Sequence, residues 1–234
     1  MTNLPKLQDI PSLSERAYEI IREALLTLKF KPGDYISIQD LSDQLGISRT
    51  PVRDALLRLE KDGLVSIIPY KGACVTDISD RDIKEIMELR ILLEGYAAEK
   101  AAKFLSVSEL EQGETILERS EEAYATGQPI ESAIIGHQLH ELILSKINNE
   151  RFSNIIYKLD IHYERIRQYS VELRDQRLSK SINEHRTIFK ALKNRDADAA
   201  RVAMMDHLSS VRDDVLTSLF SSENNIQTEN ENKD

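Results

Sequence analysis

The sequence predicts a mostly α-helical chain in two parts, an N-terminal winged helix-turn-helix and a C-terminal all-α helical bundle. Three observations carry this. Only 8 Gly and 6 Pro interrupt 234 residues rich in Leu, Ile, Glu, Lys and Arg. Apolar residues recur at helical spacing along most of the chain, and strand-like runs stop at Val75. Residues 38–75 hold a cap, a glycine, a second cap and a proline at spacings that bound two short helices, followed by two apolar runs around a polar tip.

Residues 1–11 are polar with two prolines and read as a flexible arm. Ser12 and Glu15 form a capping box that opens a helix over Leu13–Leu28, with Ala17, Ile20, Ile21, Ala24, Leu25 and Leu28 as its apolar stripe. Lys31-Pro32-Gly33-Asp34 is a turn. Ser37 caps a helix over Ile38–Leu45, and Gly46 ends it where the backbone must turn left-handed. Ser48 caps the next helix, about Arg49–Asp62, and Pro51 sits in its first turn, where a missing N–H costs nothing.

That helix has two faces. Val52, Ala55, Leu56 and Leu59 lie on one side, and Arg49, Thr50 and Arg53 lie together on the other, at the N-terminus. An arginine forks onto guanine or phosphate, a threonine hydroxyl bonds either, and a helix N-terminus favours anions, so this face suits a DNA major groove. Leu64–Ile68 and Ala73–Val75 read as strands of a hairpin whose tip, Pro69-Tyr70-Lys71-Gly72, is basic. The alternative is a small helical subdomain whose arginines merely face solvent. The winged domain spans 12–76 and a short linker follows. The second domain spans 79–220, with helices over about Asp80–Phe104, Ser106–Thr126, Ile130–Lys146, Glu150–Gln176, Leu178–Lys193 and Ala197–Phe220. The polar tail 221–234 reads as disordered.

Composition is that of a globular protein, 41% hydrophobic and 30% charged. The net charge of −9 argues against a generally sticky polyanion binder. The acidity is uneven: residues 1–78 carry 10 Lys and Arg against 11 Asp and Glu, and the rest carries 21 against 29. Site-specific DNA binding asks only for a local basic patch. The single cysteine, Cys74, forms no internal disulfide and fits a reducing, cytoplasmic location. No apolar run reaches 18 residues and Met1–Pro11 lacks a signal-peptide core, so no membrane partner is expected.

The stretch ISIQDLSDQLGISRTPVRDALLRLEKDGLVSIIPYKGACV closely resembles the DNA-binding domain of the GntR family of bacterial transcription regulators. The second part is similar to the FCD domain of the FadR subfamily. The matching residues are Leu89-Arg90-Ile91-Leu92-Leu93-Glu94, Leu139-His140, Glu184-His185-Arg186 and Met205-Asp206-His207-Leu208. The resemblance covers about residues 12–220. It implies that Ser48, Arg49, Thr50 and Arg53 meet a double-stranded DNA operator, with Lys71 and Gly72 at the wing. It also implies a homodimer on a palindromic site, acting as a repressor released by a small organic acid bound in the helical domain.

Many FCD domains hold a divalent metal through an aspartate, a histidine four residues later and two further histidines. His140, His185 and His207 match the histidines, but the aspartate position is Gly136. Three imidazoles can still hold Zn, Ni or Mn, with an open position for a carboxylate. Without a metal, the same three are effector-binding donors. His137 is a poorly aimed substitute ligand, and His162 has no matching role. Arg90 matches a family arginine, implying a carboxylate-binding residue, against the plainer reading of an i,i+4 pair with Glu94. Two further readings stand beside the effector-responsive repressor. One is a metal-responsive regulator. The other is a zinc-dependent enzyme using the three histidines, for which only Glu141 offers a nearby general base; catalytic residues are otherwise absent, and the chain is read as not an enzyme.

Overall fold

A computed structural model of the chain describes residues 11–69, 71–173 and 175–230. The chain divides into two compact units, Met1–Asp77 and Ile78–Asp234. That boundary falls inside the predicted linker.

In the first unit, α1 (Leu13–Leu26) starts on the Ser12–Glu15 capping box, which forms in both directions. It ends two residues before the predicted Leu28. The backbone of Leu28 is left-handed, with φ 55°, so the helix cannot continue through it. Its buried face is Ala17, Tyr18, Ile21, Leu25 and Leu26, while Ile20 is 52% exposed. Tyr18 takes the inward place because its hydroxyl donates to Asp62 at 2.7 Å and its ring lies under the Arg58 guanidinium. Next come a strand, β1 (Tyr35–Ser37), and α2 (Ile38–Leu45), where Ser37 accepts from the Asp40 N–H and Gly46 closes the helix at φ 64°. Helix α3 (Arg49–Lys61) buries Val52, Ala55, Leu56 and Leu59, as its periodicity predicts. Each such leucine contributes roughly 1.5–3 kcal/mol by leaving water. Ser48 occupies the N-cap position with extended backbone, but its side chain makes no capping bond.

Strands β2 (Val65–Ile68) and β3 (Gly72–Val75) form the predicted hairpin, and β1 adds to it antiparallel in the order β1-β3-β2. The third strand is a correction to the two-stranded wing. With only three residues and a capping serine at its end, β1 has too little alternation to stand out from a loop. It imposes a hard constraint on β3: a Cβ at Gly72 would lie 2.0 Å from the Ile36 carbonyl oxygen. Gly72 is thus a buried strand residue that lets two backbones meet, instead of part of an exposed tip.

The second unit is helical throughout its described residues: α4 (Asp80–Phe104), α5 (Val107–Ala125), α6 (Pro129–Leu144), α7 (Glu150–Leu173), α8 (Asp175–Lys193) and α9 (Ala197–Asn230). Capping boxes at Ser79–Asp82 and Ser106–Glu109 begin α4 and α5. Helix α9 runs ten residues beyond the predicted Phe220, through a stretch with no Pro or Gly to stop it. Residues 231–234 and 1–10 of the predicted tail and arm lie outside the described residues. Met87, Leu117, Leu139, Ile143, Ile188, Leu192, Met204 and Leu208 make one core shared by all but α7, which adds Tyr163 and Ile166. Ser120 and Ser132 are buried and clip α5 to α6, each hydroxyl donating to the other residue's carbonyl at 2.9 and 2.7 Å.

Candidate functional site

Two sites stand out, one in each unit. In the first, Arg49, Thr50 and Arg53 project from the opening turns of α3, all exposed. With Lys71 they line one groove, together with Ser37, Gln39 and Leu57. The fold therefore brings Arg49, Thr50, Arg53 and Lys71 to one surface. Ser48 is exposed beside them, its hydroxyl free of the cap bond the sequence suggested. The first turn of α3 holds no acidic side chain, so its N-terminal field is uncancelled there.

In the second unit, α6, α8 and α9 converge on one point. His140, His185 and His207 are all buried, and a ring nitrogen from each lies within 4.8 Å of the others. Two of the rings are held from behind. His140 Nδ1 donates to Glu94 at 2.6 Å, and His207 Nδ1 donates to Glu184 at 2.7 Å. Both therefore turn Nε2 toward the cluster. His140 Nε2 and His185 Nε2 are 3.1 Å apart, within hydrogen-bonding distance of each other. Burial holds the His207 pKa down at about 4, although Glu184 pulls it upward. Burial, reinforced by its two neighbours, keeps His185 well below its ordinary value. Both imidazoles are neutral near pH 7, the form that donates a lone pair to a metal.

The carboxylates stay ionised. Burial pushes Glu94 up, but Arg90 and His140 outweigh it and leave its pKa at about 2. Burial opposes the hydrogen bonds from His207 and Arg177 at Glu184, which also settles at about 2. Glu94 and Glu184 were not singled out as functional by sequence reasoning. The available signals were the i,i+4 spacing of Arg90 and Glu94 and the adjacency of Glu184 to His185.

Arg90 is placed differently from the pocket role the resemblance implies. It is fully buried, contacts Glu94 at 2.7 Å, pairs with Asp160, and stacks 3.8 Å above the Tyr163 ring. It does not line the cavity in front of the histidines. That cavity, about 70 Å³, is walled by the three histidines with Gly136, His137, Tyr163, Ser132 and two other arginines, Arg167 and Arg177. The plainer i,i+4 pairing is thus what the structure shows, extended by Asp160. Gly136 faces His185 directly: a Cβ there would sit 3.3 Å from two atoms of its ring and from Ser120 Oγ. The imidazole of His185 occupies the space into which an aspartate at 136 would project. His137 stacks on His140, with centroids 5.7 Å apart, and stays outside the three-nitrogen cluster. His162 is half-buried on α7. Glu141 is exposed, so the one candidate general base points away from the cluster.

A winged helix-turn-helix with exposed arginines at the start of α3, followed by a helical domain whose pocket is lined by histidines and arginines, defines a DNA-binding regulator. Comparison with known proteins agrees. Residues 13–75 match the family described as bacterial regulatory proteins, gntR family, and residues 85–210 match the FCD domain. The chain belongs to the GntR family of transcription regulators, and its FCD domain is consistent with the FadR subfamily. It is 31% identical over 195 residues to the uncharacterized HTH-type transcriptional regulator YdhC of Bacillus subtilis (strain 168), covering 82% of this chain and 86% of that protein. It is 26% identical over 215 residues to the HTH-type transcriptional repressor RspR of Escherichia coli (strain K12), covering 92% and 94%. Among solved structures, E. coli McbR/YncC matches with a TM-score of 0.76 at 25% identity, over 89% of this chain and 99% of that one.

Proposed function

We propose that this regulator is a repressor that binds a palindromic operator as a homodimer and releases it when a small organic acid enters the helical domain. Ser48, Arg49, Thr50 and Arg53 read the major groove, Lys71 holds the flanking backbone, and Gly72 shapes the wing that carries it. Leu89, Leu92 and Tyr96, exposed at i, i+3 and i+7 on α4, offer an apolar stripe for a partner protomer.

One observation carries the sensing role: three imidazoles, two of them backed by carboxylates, converge on a cavity that two arginines also line. FCD domains commonly bind metal ions, and this donor set fits one. A hydrogen bond from the distal ring nitrogen to a carboxylate is the usual support of a metal-ligating histidine. His140, His185 and His207 would hold a divalent ion such as Zn, Ni or Mn, and that ion would supply an open coordination position for an acid's oxygen.

The test is thermal shift of the purified full chain against a panel of short carboxylic acids, with and without Zn²⁺, Ni²⁺ and Mn²⁺, followed by operator binding under the same conditions. A ligand at 100 times its Kd adds about 2.7 kcal/mol to the folded state. The expected result is stabilisation by metal, further stabilisation by an acid, and loss of operator binding with the acid. Loss of operator binding with metal alone would instead identify a metal-responsive regulator. Metal-dependent turnover without operator affinity would replace the regulator reading with that of an enzyme.

A further inference from the structure

One carboxylate, Asp54, lines the groove that holds Arg49, Arg53 and Lys71, and every other charge in that groove is cationic. Helix α3 and its C-cap carry three acids, and two of them serve the fold of the head. Glu60 accepts from the Ile67 N–H of β2 at 2.8 Å, and Asp62 accepts from the Tyr18 hydroxyl at 2.7 Å. Asp54 is exposed, and its carboxylate meets no donor among the described residues. Arg53 does not quench it, because adjacent residues of a helix do not face each other. Thr50 lies one turn before Asp54, so the carboxylate continues the row that the Thr50 hydroxyl begins, beside the row of Arg49 and Arg53. A carboxylate in such a groove repels phosphate and lowers affinity for DNA in general. A contact to a base edge offsets that cost.

We infer that Asp54 is a specificity-determining residue of the DNA-reading face and that its carboxylate selects cytosine. The inference rests on the operator-binding reading above and adds a base preference to it. A carboxylate offers acceptors and no donor. In the major groove the donors are the amino groups of cytosine and adenine, whereas guanine presents N7 and O6 and thymine presents O4, all acceptors that repel a carboxylate. Adenine sets its N7 acceptor beside its amino group, so it is a poorer partner than cytosine, whose amino group stands alone. Arginines take guanine by the reverse logic, with two donors on two acceptors. The reading face of α3 therefore carries both signs of charge and can address either member of a G·C pair.

The experiment is selection of binding sites from a random double-stranded DNA pool by the full chain, by Asp54→Ala and by Asp54→Asn, at one fixed salt concentration. Affinities are then measured on the parent's consensus and on its single-base changes. The expected consensus holds a cytosine in each half-site whose replacement weakens parent binding about ten-fold. Asp54→Ala should bind all four bases there about equally and keep every other position. Asp54→Asn should move the preference at that position to adenine, which an amide grips through N6 and N7. A consensus unchanged in both variants would overturn the role of Asp54 and leave the operator-binding reading standing. A uniform loss of affinity across sequences in Asp54→Ala would overturn it too, by marking the side chain as a support of the helix. Enrichment of no sequence by the parent would overturn both readings.

Discussion

Removing the charge of Glu94 is the most informative single change in the helical domain. Glu94→Gln preserves shape and packing but withdraws the negative charge that faces Arg90 Nη2 at 2.7 Å and accepts from His140 at 2.6 Å. Arg90 is fully buried and is then left with Asp160 as its carboxylate partner. Stripping one partner from a buried ion pair costs about 3–5 kcal/mol. At about 2–4 °C per kcal/mol for a chain of this length, the melting temperature should fall by roughly 6–20 °C. Arg90→Met should cost a similar amount, because it abandons Glu94 in turn. The double variant Arg90→Met/Glu94→Leu should recover much of the loss, since replacing a whole buried pair with apolar groups is often near neutral. Thermal unfolding of the four proteins by circular dichroism, without added metal, measures the cycle. A second readout is Zn²⁺ affinity, which should drop about 10–100-fold in Glu94→Gln as His140 loses its carboxylate support. If Glu94→Gln melts within about 2 °C of the parent, corresponding to less than about 1 kcal/mol, the buried contacts among Arg90, Glu94 and His140 do not support the domain.

Other outcomes follow from the same geometry. Arg49→Ala and Arg53→Ala should each weaken operator binding by about 1–3 kcal/mol, while Lys71→Ala should lower the salt dependence by about one phosphate contact without altering base preference; unchanged affinity in both arginine variants by gel shift at fixed salt would sink the recognition-helix assignment. Leu92→Asp should yield monomers by light scattering and lose operator binding at concentrations where the parent saturates; a dimeric Leu92→Asp protein would move the interface elsewhere. Glu109, bound by Lys146 and by the Ser106 cap, has its pKa lowered to about 2. Its stabilisation is therefore complete above the unfolded value near 4.5 and fades as pH falls toward 2. Urea unfolding of Glu109→Gln and the parent at pH 7 and pH 3 should show a gap that narrows in acid, and a gap that widens would reverse the sign of this linkage.

Most of the fold was legible because local signals agreed with one another. Serine caps three residues before an acidic residue, with glycine and proline at the breaks, place the starts of α1, α2 and α4 to the residue and that of α5 within one. What the sequence concealed has a common cause, dependence on partners distant in the chain. Strand β1 exists because β3 lies beside it, and Gly72 is needed because Ile36 comes within contact. Tyr18 outranks Ile20 at the core because Asp62, 44 residues away, receives its hydroxyl. The histidine triad was legible through its resemblance to a family pattern, but its support was not. The i,i+4 pair of Arg90 and Glu94 was visible, but Asp160 meets Arg90 from another helix, and no spacing along one helix announces that meeting. The two cavity arginines were missed for the same reason, since an arginine in a polar stretch reads as solvated until burial shows otherwise.

The carboxylate behind His140 also decides where hydrogens reside further along. Asp160 and Glu94 share Arg90; Glu94 takes the Nδ1 hydrogen of His140; a His140 ring carrying that single hydrogen accepts at Nε2, and His185 is then the donor between them. Glu184 settles His207 independently. The tautomers of the three rings are thus linked to carboxylates outside the triad. A charge on α7, outside the triad, is connected through Arg90, Glu94 and His140 to a ring on α8. Isotope-resolved imidazole spectra of an Asp160→Asn protein would register that connection directly, as a change in the His185 tautomer ratio with no residue of the triad altered.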